Sequence, residues 1–262
     1  MVLYNSFKQM IKYNLQQICL LNTRPLFGDS QQVLNQRIQQ LGGTVLSLPL
    51  QQIEAITEQN WLKRLPPLDQ VQQALFVSRP ASFFFFQALR KHNIEWPKTI
   101  KTIAIGSATA ISLQQQGISA HFLETHVNSE HLMQLPCFEH CNNQTILLIK
   151  GPHGRTYISD ELIKKKANPV ELNVYQSKVI DYSQQQLKFL WEDDKVNVVL
   201  ITSEQALNHL WSILPSKGKK WLREKTCLVF SSRIAEIAKR LSLQKISITE
   251  HHQIIDSLLN LS

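Results

Sequence analysis

Several short segments of this sequence follow an apolar, β-branched run with residues able to hold an anion. They are Thr23-Arg24-Pro25, Ser78-Arg79-Pro80, Gly106-Ser107-Ala108-Thr109, Lys150-Gly151-Pro152-His153-Gly154-Arg155, Thr202-Ser203 and Ser231-Ser232-Arg233. Hydroxyls, glycines, arginines and a lysine dominate these positions, and carboxylates are almost absent. Such a set is no acid–base pair of carboxylates; it offers hydrogen-bond donors and positive charge to a ligand with many anionic arms. Taken singly, each Ser or Thr at a strand-to-helix junction reads first as a helix cap. Arg24, Arg79, Arg155 and Arg233 resist that reading, because a cation at a helix N-terminus opposes the helix dipole. An anionic ligand removes the conflict.

Other constellations carry less. Cys137, His140 and Cys141 are neighbouring soft ligands without a second pair at zinc-finger spacing, so no metal is expected. His121, His126 and His131 share no helical face, and Glu250-His251-His252 reads as a solvated end. Phe83 to Phe86 form an aromatic run on an expected helix, which is core with an interface edge. The turn Gly151-x-x-Gly154 lacks the spacing of a nucleotide fingerprint, so a nucleotide is not supported.

The elements that must position these residues come from alternation. Apolar runs at 18–22, 44–50, 74–78, 102–106, 145–150, 170–174, 196–202, 226–231 and 245–249 are each followed by a polar or Gly-containing turn and a helical pattern. That is the signature of α/β units with parallel strands. The chain also repeats itself. Residues 74–122 and 198–249 both run strand, helix, strand, hydroxyl, Ala-rich helix, strand, and both close on a short helix, at 129–135 and 253–261. A strand-helix-strand unit precedes each block, at 19–50 and 145–174, so the order is a, B, a′, B′. Two doubly wound parallel-sheet domains of flavodoxin-like type follow, but the repeat leaves open whether a pairs with B or with B′. The stretches 50–56 and 172–180 continue past their strands with alternating character, as a two-stranded connection would.

Composition bounds the reading. With 262 residues, 43% hydrophobic and 18% charged, the chain suits two cores and lacks the bias of disorder. No apolar run approaches a membrane span, and residues 1–17, which could form a short amphipathic helix, read as a frayed start without assigned function. Four cysteines, irregularly placed, fit a reducing cytoplasm better than a disulfide framework. Net charge +8 favours anionic partners. The basic residues are scattered, and the clusters at 164–166 and 217–220 are expected at helix ends or surface loops, so nucleic acid and membrane are not expected partners.

The chain resembles the uroporphyrinogen-III synthase family over residues 18–262. The likeness lies in Leu21-Asn-Thr-Arg-Pro25 with Leu41-Gly-Gly and Leu48-Pro-Leu50; in Ala104-Ile-Gly-Ser-Ala-Thr-Ala110; in Leu148-Ile-Lys-Gly-Pro-His-Gly-Arg155 with Val174-Tyr175-Gln176; and in Thr202-Ser203, Leu210-Trp-Ser-Ile-Leu-Pro215 and Ser231-Ser-Arg-Ile-Ala-Glu-Ile-Ala238. Each motif is weak alone; their order and spacing are specific. The resemblance implies the pairing of a with B′. That gives domains at 1–50 with 180–262 and at 53–175, a connection at 51–52 and 176–179, and a cleft between the domains.

The family's activity implies a lyase without cofactor, acting on hydroxymethylbilane, a tetrapyrrole polycarboxylate. Loss of water gives an azafulvene that the far pyrrole attacks through a spiro intermediate, inverting ring D to form uroporphyrinogen III for haem biosynthesis. Tyr175 matches the family's tyrosine and is the candidate proton donor. Thr23, Arg24, Ser78, Ser107, Thr109, Lys150, Gly151, Gly154, Arg155, Thr202, Ser203, Ser231, Ser232 and Arg233 are the candidate substrate arms. A monomer in transient contact with the preceding pathway enzyme is expected. The chain departs from its relatives at Val77-Ser78, where Thr-Ser is frequent, at Lys150 and His153, and at Ser242, where many have Gly. The rival reading from another class is a two-domain small-anion-binding protein without catalysis.

Overall fold

The computed structural model describes residues 14–123, 136–152 and 156–262. The helix expected at 129–135, most of the expected N-terminal amphipathic helix, and His126, His131, His153, Gly154 and Arg155 lie outside the described residues. The chain divides into two compact units, one discontinuous (1–52 and 178–262) and one central (53–177).

In the discontinuous unit, β1 (Cys19–Asn22), β2 (Thr44–Ser47), β10 (Val198–Ile201), β11 (Thr226–Val229) and β12 (Lys245–Ile248) form a five-stranded sheet. Its order is β12-β11-β10-β1-β2, and every pairing is parallel. Counted along the chain this is the flavodoxin order 2-1-3-4-5. Strand alternation sends Leu21, Val199, Ile201, Cys227 and Val229 into one core layer, and Leu20, Val198, Leu200 and Leu228 into another. The first layer packs on α8 (Glu204–Ile213), α9 (Ser216–Glu224) and α10 (Ser232–Arg240). The second packs on α1 (Ser30–Gln40) and α11 (Ile254–Leu259). With both faces covered, the central strands need apolar residues at every position, which is why they read as unbroken runs.

The central unit holds β4 (Gln73–Phe76), β5 (Lys101–Ile105), β6 (His121–Leu123), β7 (Thr145–Lys150) and β8 (Asn168–Asn173) in the parallel order β6-β5-β4-β7-β8. Pro169 sits on an edge strand, where its missing N–H costs the ladder least. α3 (Arg79–Lys91) and α4 (Ser107–Gln115) cover one face, and α5 (Tyr157–Lys164) contributes Leu162 to the other. Phe76, Phe85, Phe86 and Trp96 interlock with ring centroids 5.4 to 6.3 Å apart. Phe76, Phe85 and Phe86 are buried, and burial of each is worth about 1.5–3 kcal/mol from area alone. The aromatic run Phe83 to Phe86 thus divides, with Phe85 and Phe86 buried and Phe83 exposed.

In repeat terms the two sheets are alike. Each runs second strand of a, first strand of a, then the strands of B in order; only the point of chain entry differs. The discontinuous unit is a with B′, and the central unit is a′ with B.

The chain passes between the units along β3 (Gln51–Ala55) and β9 (Tyr175–Val179), paired as a two-stranded sheet. Ile56 N–H donates to Val174 C=O at 3.1 Å, and Ile180 N–H to Leu50 C=O at 3.0 Å, so the strands run in opposite directions. The Lys217 to Lys220 cluster opens the helix α9, at a helix end as expected, and Trp221 and Leu222 beyond it are buried. One connection differs from expectation. Arg24 does not stand at a helix start, because α1 begins at Ser30 and Leu26 first bridges to Gln52.

The Ala-rich helices end identically. After α4, Gly117 N–H bonds Gln114 C=O and Ile118 N–H bonds Leu113 C=O; after α10, Ser242 N–H bonds Lys239 C=O and Leu243 N–H bonds Ala238 C=O. Both are Schellman turns, which require a left-handed residue: Gly117 has φ +79° and Ser242 φ +63°.

Candidate functional site

In the central unit the carboxyl ends of β4, β7 and β8 bring Ser78, Gly151 and Tyr175 together. Ser78 is extended (φ −161°, ψ 158°) and caps α3, its Oγ accepting the Ala81 N–H at 3.3 Å. The same Oγ donates to Tyr175 Oη at 3.1 Å. Gly151 is buried, and a Cβ there would lie 2.9 Å from Tyr175 Cζ and 3.2 Å from its Oη. The glycine is therefore needed for its missing side chain, which lets the phenol ring lie against the backbone. These residues stand 73 and 24 positions apart in the sequence.

Lys150, the last residue of β7, is mostly covered and its Nζ lies 3.1 Å from Glu171 of the neighbouring β8. The pairing is a charge-assisted bond that a substrate carboxylate would have to displace or share. Gly106 takes φ +81° at the start of α4, which places Ser107 on the surface at the first helical position while Thr109 is buried at 3% exposure. Arg79 occupies the first position of α3, where its charge faces the unfavourable end of the dipole.

In the discontinuous unit the strand ends are similarly built. Ser203 and Ser231 cap α8 and α10, accepting Ala206 N–H at 3.1 Å and Ile234 N–H at 3.3 Å. Thr202 is half-buried and Ser232 exposed. Arg233 is 70% exposed and ion-paired with Glu204 of the adjacent helix. Thr23 is 1% exposed and gives its hydroxyl to the Leu200 carbonyl, tying the end of β1 to β10, so it has no hydroxyl hydrogen to offer a ligand. Arg24 is 8% exposed; its carbonyl accepts from Gln31 and its guanidinium meets His251 Nε2 at 3.2 Å. His251 in turn lies 5.4 Å from the Phe230 ring.

His251 is exposed, as expected of a solvated end, but its contact with Arg24 and the carboxylates Glu171 and Glu204 beside the other cations were not expected. Strand order and helix adjacency bring those partners in. Within the cysteine motif, Cys141 is buried and its thiol bonds the Phe138 carbonyl at 3.4 Å. Among the described residues no helix is long and apolar enough to cross a membrane.

The family model for "Uroporphyrinogen-III synthase HemD" matches residues 32–259. Uroporphyrinogen-III synthase of Escherichia coli (strain K12) is 28% identical over 240 residues, covering 88% of this chain and 95% of that protein. The Salmonella typhimurium enzyme of the same name is 28% identical over 235 residues, with the same coverage. Among solved structures, a mutant uroporphyrinogen III synthase from the extremely thermophilic bacterium Thermus thermophilus superposes with TM-score 0.62 at 13% identity, covering 93% of this chain and 96% of that one. The Helicobacter pylori 26695 enzyme gives 0.60 at 12% identity, covering 94% and 100%. The structures share the fold, and the family match spans most of the sequence: this chain belongs to the uroporphyrinogen-III synthase family.

Proposed function

We propose that this chain closes hydroxymethylbilane to uroporphyrinogen III, inverting ring D with loss of water, and that Tyr175 supplies the proton to the departing hydroxyl. The observation that carries the assignment of the residue is the meeting of Tyr175 with Ser78 and Gly151 at one sheet edge. A phenol held by a hydrogen bond and a backbone contact is a positioned acid, and positioning is most of what this reaction asks of a protein. Once the hydroxyl leaves, the pyrrole itself carries the cation, and the protein must hold the chain of rings so that the substituted carbon of the last pyrrole is the one that attacks.

Ser107, Lys150, Thr202, Ser203, Ser231, Ser232, Arg24 and Arg233 are proposed as arms for the substrate's carboxylates, with Gly154 and Arg155 retained from the sequence motif. For Arg24, Lys150 and Arg233 the arm works by exchange, the substrate carboxylate taking over or sharing the cation now held by His251, Glu171 or Glu204. Thr23 and Thr109, both buried, are better read as supports for these loops. The segments 1–50 with 180–262 and 53–175 are taken as the domains, with 51–52 and 176–179 as the connection. A transient contact with the enzyme supplying the unstable bilane belongs to the same reading.

The test is to incubate purified protein with freshly made hydroxymethylbilane, oxidise the product and separate the porphyrin isomers. The type III isomer is expected in excess, and only the symmetric type I isomer would refute the activity. Tyr175→Phe is expected to lower kcat by about 100-fold, the low end of general-acid contributions. Full turnover by that variant would dismiss the proton-donor role while leaving the activity intact.

A further inference from the structure

We propose that Ser78 is a positioning residue that acts through Tyr175, turning the phenolic proton toward the substrate, and is not itself a substrate contact. The proposal rests on Tyr175 being the proton donor. Ser78 Oγ accepts one backbone donor, Ala81 N–H at 3.3 Å, and stands 3.1 Å from Tyr175 Oη. Pro80, at the second helical position, has no N–H, so the serine oxygen caps a single amide. A hydroxyl has one hydrogen to give, and that of Ser78 is assigned to the phenol oxygen 3.1 Å away, with the Ala81 amide filling an acceptor site on the serine. The phenol then has no reason to spend its own proton on Ser78, and among the described residues Tyr175 Oη has no other hydrogen-bond partner. If the phenol donated to Ser78, the proton needed for C–O cleavage would be turned inward.

The arrangement also serves the product of the transfer. As Tyr175 gives its proton to the substrate hydroxyl, the C–O bond breaks with its electron pair on the departing water. The pyrrole nitrogen lone pair fills the vacated carbon. The tyrosinate left behind already accepts a hydrogen bond from Ser78, whose oxygen is polarised by the Ala81 amide. The proton lost when the last-attacking pyrrole regains aromaticity restores the phenol, so the cycle balances with water as the only leaving group.

The discriminating variant is Ser78→Asp. Aspartate is an excellent N-cap and its charge suits the helix dipole, so α3 keeps its start. A carboxylate only accepts, so it draws the phenol proton to itself. Measured against hydroxymethylbilane, Ser78→Asp is expected to lose kcat by about 10- to 100-fold with KM little changed, the range set by a misdirected general acid. Ser78→Thr keeps both cap and donor and is expected to recover most of that rate. In a Tyr175→Phe background, Ser78→Asp is expected to cost nothing further, because the effect travels through the phenol. Melting curves of all variants report the capping role separately. A full-rate Ser78→Asp, an equal loss in the Phe background, or a raised KM at constant kcat would overturn the proposal. A full-rate Tyr175→Phe would instead sink the proton-donor reading beneath it.

Discussion

Gly151→Ala perturbs the site by a known distance. The added methyl would lie 2.9 Å from Tyr175 Cζ, 3.0 Å from Cε2 and 3.2 Å from Oη, where ordinary contact begins near 3.4 Å. Relief therefore requires the ring to retreat by about 0.5 Å, since Gly151 is set by the β7 backbone and Tyr175 is the freer partner. The Ser78–Tyr175 hydrogen bond is already 3.1 Å long. A retreat of that size along the bond takes it to the edge of hydrogen-bonding range. Misplacement by 1 Å costs a reacting group on the order of 100-fold, so half that distance is expected to cost about 10-fold in kcat. Overpacking a half-buried ring adds a stability loss of about 1 kcal/mol. Single-turnover formation of the type III isomer, alongside a melting curve, separates the two effects. Unchanged kcat would refute the reasoning, as would an equal further loss in a Tyr175→Phe protein, where the ring remains but the hydroxyl does not.

Three further outcomes follow from the same structure. Ser242→Gly is expected to stabilise the protein by about 1 kcal/mol, because a non-glycine residue pays roughly that to hold φ +63°, and Gly117→Ser is expected to lose a similar amount at the equivalent turn; denaturant midpoints check both. Cys227 is fully buried, and burial pushes its thiol up to about 12, so it is expected to resist alkylation at pH 8 until the chain is unfolded. Labelling of Cys227 in the native protein at the rate of an exposed thiol would contradict that burial.

The sequence made the strands visible because their burial on both faces demands unbroken apolar runs, as at Val198 to Ile201. The site was legible in part. Ser78 and Gly151 stand out as strand-end residues and Tyr175 through the family resemblance, yet their convergence depends on β4, β7 and β8 lying side by side, which no local pattern encodes. The partners of the cations were the weakest point. Lys150 meets Glu171 across a strand pair, Arg233 meets Glu204 across adjacent helices, and Arg24 meets His251 across 227 residues. A residue's charge is local information; what it meets, a carboxylate for Lys150 and Arg233 and an imidazole for Arg24, is a property of topology. Arg24 also stands apart from any helix dipole, because its loop runs on to Ser30 before a helix begins.

The interleaved repeats have a consequence for the nascent chain. The central unit is contiguous, so every strand it needs has been synthesised by residue 177. β1 is made among the first strands, yet Leu20 pairs with Val198, so its second edge waits for β10. Until then an apolar strand, with Leu20 and Leu21 fully buried in the finished protein, offers an unpaired ladder to whatever is nearby. A polypeptide released early, between about 180 and 197, would carry a finished central unit and an open sheet edge, so the penalty for incomplete synthesis falls on β1, made long before its partner.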